Sequence, residues 1–232
     1  MKLAVTFDFG WTLAEIDTAM LVRRLAERGA RADADALEAA IPIARATYDA
    51  AIRAGAGGHP WHLLMRAILV EGSVETVDLE ALVTWLWDEQ PRQNLWRRPI
   101  AGMFELVRDL AREDVPLAIV SNSEGRLAEL VGELGLDDAF SIVIDSGRFG
   151  VTKPDPRIFL HAAERLGVAP PDVVHVGDSY EADVAGAIGA GMRAVWFDGQ
   201  GSEIPAASRP KVRAARGAEE TRAALLGLGV DA

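Results

Sequence analysis

Four short stretches hold the side chains best able to do chemistry: VTFDFGWTLAE (5–15), IVSN (119–122), TKPDP (152–156) and GDSYEAD (177–183). Together they offer Asp8, the Gly10 carbonyl and Thr12, then Ser121 and Asn122, then Lys153, then Asp178 and Asp183. Carboxylates and carbonyls are hard oxygen donors of the kind Mg2+ takes. A lysine and a hydroxyl suit the equatorial oxygens of a phosphoryl group. Singly, each residue has a plain structural role. Asp8 opens a loop, Ser121 caps the next helix, Asp183 favours the positive end of a helix, Lys153 is a surface charge and Thr12 a turn hydroxyl. As a set they point to one site. Lysine occurs only at positions 2, 153 and 211, which weighs against a casual surface charge at 153.

The elements that must position them are legible as apolar runs. LAVTFD (3–8), PLAIVS (116–121), SIVID (141–145), DVVHVG (172–177) and RAVWFD (193–198) read as strands. Helical spacing fills 102–112, 124–135, 155–166 and 181–190 between them. Strands alternating with helices predict an α/β fold with a parallel sheet. Near-continuous apolar strands predict that both sheet faces are covered. Ligands of such sheets bind at the carboxyl ends of the strands, where the candidate residues fall, and Asp8 and Asp178 are read as the acids that close strands there. Residues 17–96 break the alternation, with no strand pattern but helical stretches near 17–29, 34–54, 61–71 and 78–89. This predicts an all-helical domain inserted after the first strand, either a decoration or a lid hinged near 14–17 and 96–101 and loosened by Gly55, Gly57 and Gly58. Tyr48, Arg53, His59, Trp61 and His62 surround that glycine cluster, and each taken singly reads as structural.

Composition narrows the function. The 232 residues carry 24 basic and 35 acidic side chains, a net charge of -11. Bulk attraction to nucleic acid or to an anionic membrane is thereby disfavoured. There is no cysteine, which excludes disulfides, thiolate catalysis and Cys-based zinc sites and fits a cytoplasmic setting. Asp8 interrupts the first apolar segment too early for a signal peptide. No apolar run approaches the roughly 18 residues of a membrane helix.

The four segments resemble the haloacid dehalogenase (HAD) superfamily, most closely its phosphatases with a helical C1-type cap. FDFGWTL resembles the first motif, usually DxDGT, IVSN the second, Lys153-Pro154 the third and GDSYEAD the fourth. The resemblance runs through nearly the whole chain. It implies a Rossmann-like core over 1–16 and 97–232 and a cap over 17–96. It also implies an Mg2+ cofactor, a small phosphorylated substrate, no nucleic-acid or membrane partner, and a monomer or homodimer. By the same resemblance, Asp8 is a nucleophile that forms an aspartyl-phosphate. Asp8, the Gly10 carbonyl and Asp178 are metal ligands. Ser121 holds a phosphoryl oxygen, and Lys153 neutralises Asp8 and the phosphoryl group. Asp183 orients Lys153 or a metal-bound water, and Thr12 supports the nucleophile loop. Asn122 and Trp11 complete the candidate substrate-binding set.

The sequence departs from the family at one place. The residue two after the nucleophile, normally an acid–base aspartate, is Gly10, and the next, normally glycine, is Trp11. Losing a general acid–base group costs roughly 10²–10⁴ in rate. Three readings stay open: a phosphatase in which Glu15 or Asp17 stands in or the leaving group is good; a catalytically weak phospho-ligand or partner binder; and a dehalogenase, disfavoured by the complete GDSYEAD segment. A phosphonatase would need a cap lysine, and 17–96 contains none. Glu15 and Asp17 also have bland roles, a flap charge and the N-cap of the first cap helix. Trp11 either packs under the cap hinge or faces the substrate.

Overall fold

The computed structural model describes residues 2–54, 61–197 and 204–230. The glycine cluster and His59 lie outside the described residues, as do the Arg53 side chain and Asp198. The chain divides into two compact units, one made of 1–15 with 99–232 and the other of 16–98.

In chain order the elements are β1 (Ala4–Phe7), β2 (Ala14–Ile16), α1 (Thr18–Glu27), α2 (Ala34–Arg53), α3 (Trp61–Glu71), α4 (Leu79–Glu89), β3 (Trp96–Pro99) and α5 (Met103–Arg112). Then come β4 (Leu117–Ser121), α6 (Leu127–Glu133), β5 (Ile142–Asp145), α7 (Ser146–Phe149), α8 (Pro156–Leu166), β6 (Val173–Gly177), α9 (Gly186–Gly189), β7 (Arg193–Phe197), β8 (Val212–Ala215) and α10 (Gly217–Gly227).

The first unit is a six-stranded sheet in the order β5-β4-β1-β6-β7-β8. Every neighbouring pair is parallel. β1, β4 and β6 are buried along their whole length, as expected of a sheet with helices on both faces. One apolar layer joins Ala118, Val120 and Val173 of the sheet to Ile158, Phe159 and Ala162 of α8. α8 starts where Asp155 accepts the Arg157 N–H and Pro156 takes its first turn, and it ends at left-handed Gly167. From β1 the chain steps outward one way through β4 and β5, then the other way through β6, β7 and β8. The carboxyl ends of β1 and its two neighbours therefore meet at the topological switch point.

The second unit packs α1 to α4 around Leu21, Leu25, Leu37, Leu64, Met65, Ile68 and Leu86. Asp17 caps α1 by accepting the Met20 N–H at 2.7 Å, and Asp78 caps α4 through Ala81 N–H at 3.0 Å. Trp61 is buried and lies 5.4 Å from the Trp87 ring.

The structure corrects several boundaries. β2 and β3 pair into a two-stranded sheet where the chain passes from one unit to the other, so strand begins at Trp96 inside the stretch read as wholly helical. Three or four residues are too few to show a period. β8 and α10 were not expected. β8 is an edge strand whose Val-Arg-Ala-Ala leaves Ala214 exposed, which erases the apolar run. The helix expected over 181–190 opens as a π-helical turn at Tyr180–Ala185 before α9. Among the described residues no helix is long and apolar enough to cross a membrane.

Candidate active site

Parallel strands deliver Asp8, Ser121 and Asp178 at the carboxyl ends of β1, β4 and β6. The Ser121 hydroxyl donates to Asp8 Oδ1 at 2.7 Å. Lys153 Nζ donates to the same Oδ1 at 2.6 Å and to Asp183 Oδ1 at 2.5 Å. All four residues are buried. Both donors to Asp8 fall on one oxygen, which leaves Oδ2 clear of them.

Lys153 is held from behind. Its backbone N–H donates to Asn122 Oδ1 at 2.8 Å, and Asn122 Nδ2 donates to its carbonyl at 3.2 Å. The side chain of Asn122 thus braces the lysine loop. Asp183 arrives by the π turn. Its Oδ2 accepts the Ser179 N–H at 2.9 Å, and Gly177 makes room, since a Cβ there would lie 2.3 Å from the Asp183 carboxyl carbon. Such turns often mark functional positions.

Burial alone would push the Lys153 ammonium down, but the charges of Asp183 and Asp8 outweigh it and hold the lysine above its ordinary range. Burial would likewise raise Asp183, yet Lys153 and His175 keep its carboxyl well below the usual carboxylate range. Lys153 and Asp183 thus form a charged pair at neutral pH.

Oxygens of Asp8, Asp178 and Asp183 lie within 4.8 Å of one another. An all-oxygen set of this kind fits a hard divalent cation. Asp183 is engaged on both oxygens by Lys153, His175 and Ser179. Asp8 Oδ1 is likewise engaged, by Ser121 and Lys153, and Gly10 lies in the turn that follows Asp8. Thr12 Oγ1 approaches Asp178 Oδ1 at a long 3.5 Å, and Trp196 Nε1 donates to the Asp178 carbonyl at 2.9 Å.

Trp11 is buried with φ of 52°, and its N–H donates to the Ala14 carbonyl at 2.8 Å. Glu15 is half-buried on β2. Asp17 serves as a helix cap in the second unit, the bland role its position suggested.

Three residues at the site escaped the sequence reading. Asp145 ends β5 and is a further strand-end acid. Its carboxylate accepts the N–H groups of Gly125, Leu127 and Gly147 at 3.0, 2.9 and 2.8 Å, so it shapes the loop after Ser121 rather than facing a ligand. Thr6 and His175 are polar residues inside otherwise apolar strands, and that placement was the available signal. His175 Nε2 lies 3.1 Å from Asp183 Oδ1, and its Nδ1 lies 2.9 Å from Thr6 Oγ1.

Residues 3–191 match the family described as haloacid dehalogenase-like hydrolase. A phosphoserine phosphatase of Thermus thermophilus is 46% identical over 100 residues, 42% of this chain and 40% of that protein. Haloacid dehalogenase-like hydrolase domain-containing protein 3 of Bos taurus is 31% identical over 140 residues, 60% of this chain and 55% of that protein. The chain thus spans about half or less of the length of these relatives. The crystal structure of the HAD-hydrolase YfnB of Bacillus subtilis, bound to magnesium, matches with a TM-score of 0.74 at 20% identity and covers 99% of both chains. At that identity the likeness shows the fold.

Proposed function

The chain belongs to the haloacid dehalogenase-like hydrolases, and from that premise we propose that it is a phosphatase acting on a small phosphorylated metabolite through Asp8. The observation that carries this reading is the nucleophile's setting: Asp8 Oδ1 is fixed by Lys153 at 2.6 Å and by Ser121 at 2.7 Å, and its second oxygen is left for attack.

Asp8 Oδ2 attacks phosphorus, the bond from phosphorus to the leaving oxygen breaks, and the electron pair departs with that oxygen. Lys153 and Ser121 counter charge on Asp8 and on the phosphoryl oxygens that pass between them. Water then attacks the aspartyl-phosphate, the bond from phosphorus to Asp8 breaks, and inorganic phosphate leaves. Asp183 keeps Lys153 charged and in place. An Mg2+ ion held by Asp8, the Gly10 carbonyl and Asp178 would supply Lewis-acid stabilisation of the phosphoryl oxygens. Phosphatase names among the relatives and magnesium in YfnB support the choice.

Gly10 brings no acid to protonate a leaving group. The favoured substrates are therefore those whose leaving group departs unaided, such as aryl or acyl phosphates. The same glycine favours a second reading, a phospho-ligand binder with little turnover. The absence of cysteine fits a cytoplasmic setting, and the net charge of -11 weighs against nucleic acid and anionic membrane as partners.

The test is phosphate release from p-nitrophenyl phosphate with Mg2+. Turnover that disappears in Asp8→Asn is the expected result. Binding of phosphate esters without release selects the second reading. Halide release from a 2-haloacid without phosphate release overturns both.

A further inference from the structure

The charged set at the strand ends is backed by a second layer inside the sheet. Thr6 and His175 are register partners on β1 and β6, and both are fully buried. Strand periodicity puts Thr6 on the same sheet face as Asp8, two residues on. The His175 ring packs edge-on against Phe159 with centroids 5.1 Å apart. One polar chain runs from Thr6 Oγ1 to His175 Nδ1 at 2.9 Å, from His175 Nε2 to Asp183 Oδ1 at 3.1 Å, from that oxygen to Lys153 Nζ at 2.5 Å, and on to Asp8 Oδ1 at 2.6 Å.

The proton inventory orders this chain. An ionised carboxylate only accepts, so the His175 nitrogen facing Asp183 carries the hydrogen. In the Nε2–H tautomer the other nitrogen is an acceptor, and the Thr6 hydroxyl donates to it. Every link has a donor and an acceptor, and the links converge on Asp183.

We infer that His175 and Thr6 are positioning residues for phosphoryl transfer: they fix the rotation of the Asp183 carboxylate and, through it, the placement of Lys153 on Asp8. The outer torsion of an aspartate is broad and roughly two-fold. With His175 removed, Oδ1 keeps only the lysine while Oδ2 keeps the Ser179 N–H, so the carboxylate has more freedom about that torsion and the ammonium shifts with it. A plain core role does not account for the arrangement, because an apolar side chain would fill the same volume without burying an imidazole and a hydroxyl that need partners.

The kinetic consequences rest on the phosphatase reading. The arrangement of protons does not, and the test separates the two. In the full-length, Mg2+-loaded protein, His175→Leu is expected to lower kcat per folded molecule on p-nitrophenyl phosphate about 10–100-fold, the range seen when partners behind a functional group are removed. KM is expected to change much less. His175→Gln, which keeps an N–H for Asp183, recovers part of the loss. Thr6→Val, close to isosteric, moves kcat in the same direction by a smaller factor, and it carries the comparison if His175→Leu does not fold. Nitrogen-15 spectra of the parent are expected to show His175 as the Nε2–H tautomer, with a resonance that moves in Asp183→Asn.

Unchanged kcat per folded molecule in both His175→Leu and Thr6→Val overturns the inference, as does an Nδ1–H tautomer. If the parent releases no phosphate from any ester, the phosphatase reading fails. The spectrum then decides alone: an Nε2–H resonance that responds to Asp183→Asn sustains the positioning chain, and any other result ends it.

Discussion

Lys153 Nζ lies 2.5 Å from Asp183 Oδ1, in a place where the two side chains are 3% and 1% exposed. Two opposite charges withdrawn this far from water hold each other in the charged state, and removing one strands the other. Asp8, on the far side of the ammonium at 2.6 Å, makes the lysine the shared counter-ion of two acids.

Lys153→Met is therefore expected to destabilise the protein by about 3–5 kcal/mol, since it leaves two buried carboxylates without their cation. In a chain of this size that is a fall in Tm on the order of 10 °C. Urea unfolding of the metal-free protein reads the loss. A midpoint equal to the parent's would mean that the pair contributes nothing.

Asp8→Asn is expected to abolish turnover while the protein stays folded, because the amide keeps the shape but cannot serve as the nucleophile. In the parent, beryllofluoride should be found bonded to the Asp8 carboxylate. Residual activity within about tenfold of the parent, a far smaller loss than removal of a nucleophile gives, would remove Asp8 from the reaction.

Metal removal gives an independent reading. Excess chelator is expected to stop hydrolysis of an activated aryl phosphate, and added Mg2+ to raise Tm by mass action on the folded state. Asp178→Asn should shift both responses to higher Mg2+. Undiminished hydrolysis in chelator would show that Asp8 and Asp178 do not share an ion.

Much of this was legible in the sequence because a parallel sheet does the convergence. Once LAVTFD, PLAIVS and DVVHVG are read as neighbouring strands, Asp8, Ser121 and Asp178 must meet at one end, whatever the loops do. The hidden parts have physical reasons. Thr6 and His175 are single polar residues in apolar strands, and only the register of β1 with β6 shows that they face each other. Asp145 looks like a fourth candidate ligand until its three backbone donors are seen. β8, with an arginine and an exposed alanine, carries too little apolar signal to be told from a loop.

A left-handed φ suits glycine and costs other residues about 1–2 kcal/mol, yet the left-handed position here is Trp11, at 52°, and not Gly10. A positive φ is thus not the reason for glycine at 10. Trp11→Gly alone relieves the strain but gives up a buried indole, whose loss costs about 3–5 kcal/mol, so burial wins and the variant should be less stable by about 1–4 kcal/mol. Gly10→Asp with Trp11→Gly rebuilds the Asp-Gly pair of the related phosphatases and supplies an acid for the leaving oxygen and a base for the second-step water. Hydrolysis of alkyl phosphates should rise, up to about the 10²–10⁴ that such catalysis contributes. Aryl phosphates should gain less, because their leaving groups already depart without a proton. The ratio of kcat/KM on an alkyl to an aryl ester, parent against double variant, reads the difference and cancels any common loss of stability. A ratio that does not move, in a variant that folds and binds Mg2+, would mean that another acid such as Glu15 already serves or that the site was not built to cleave phosphate esters.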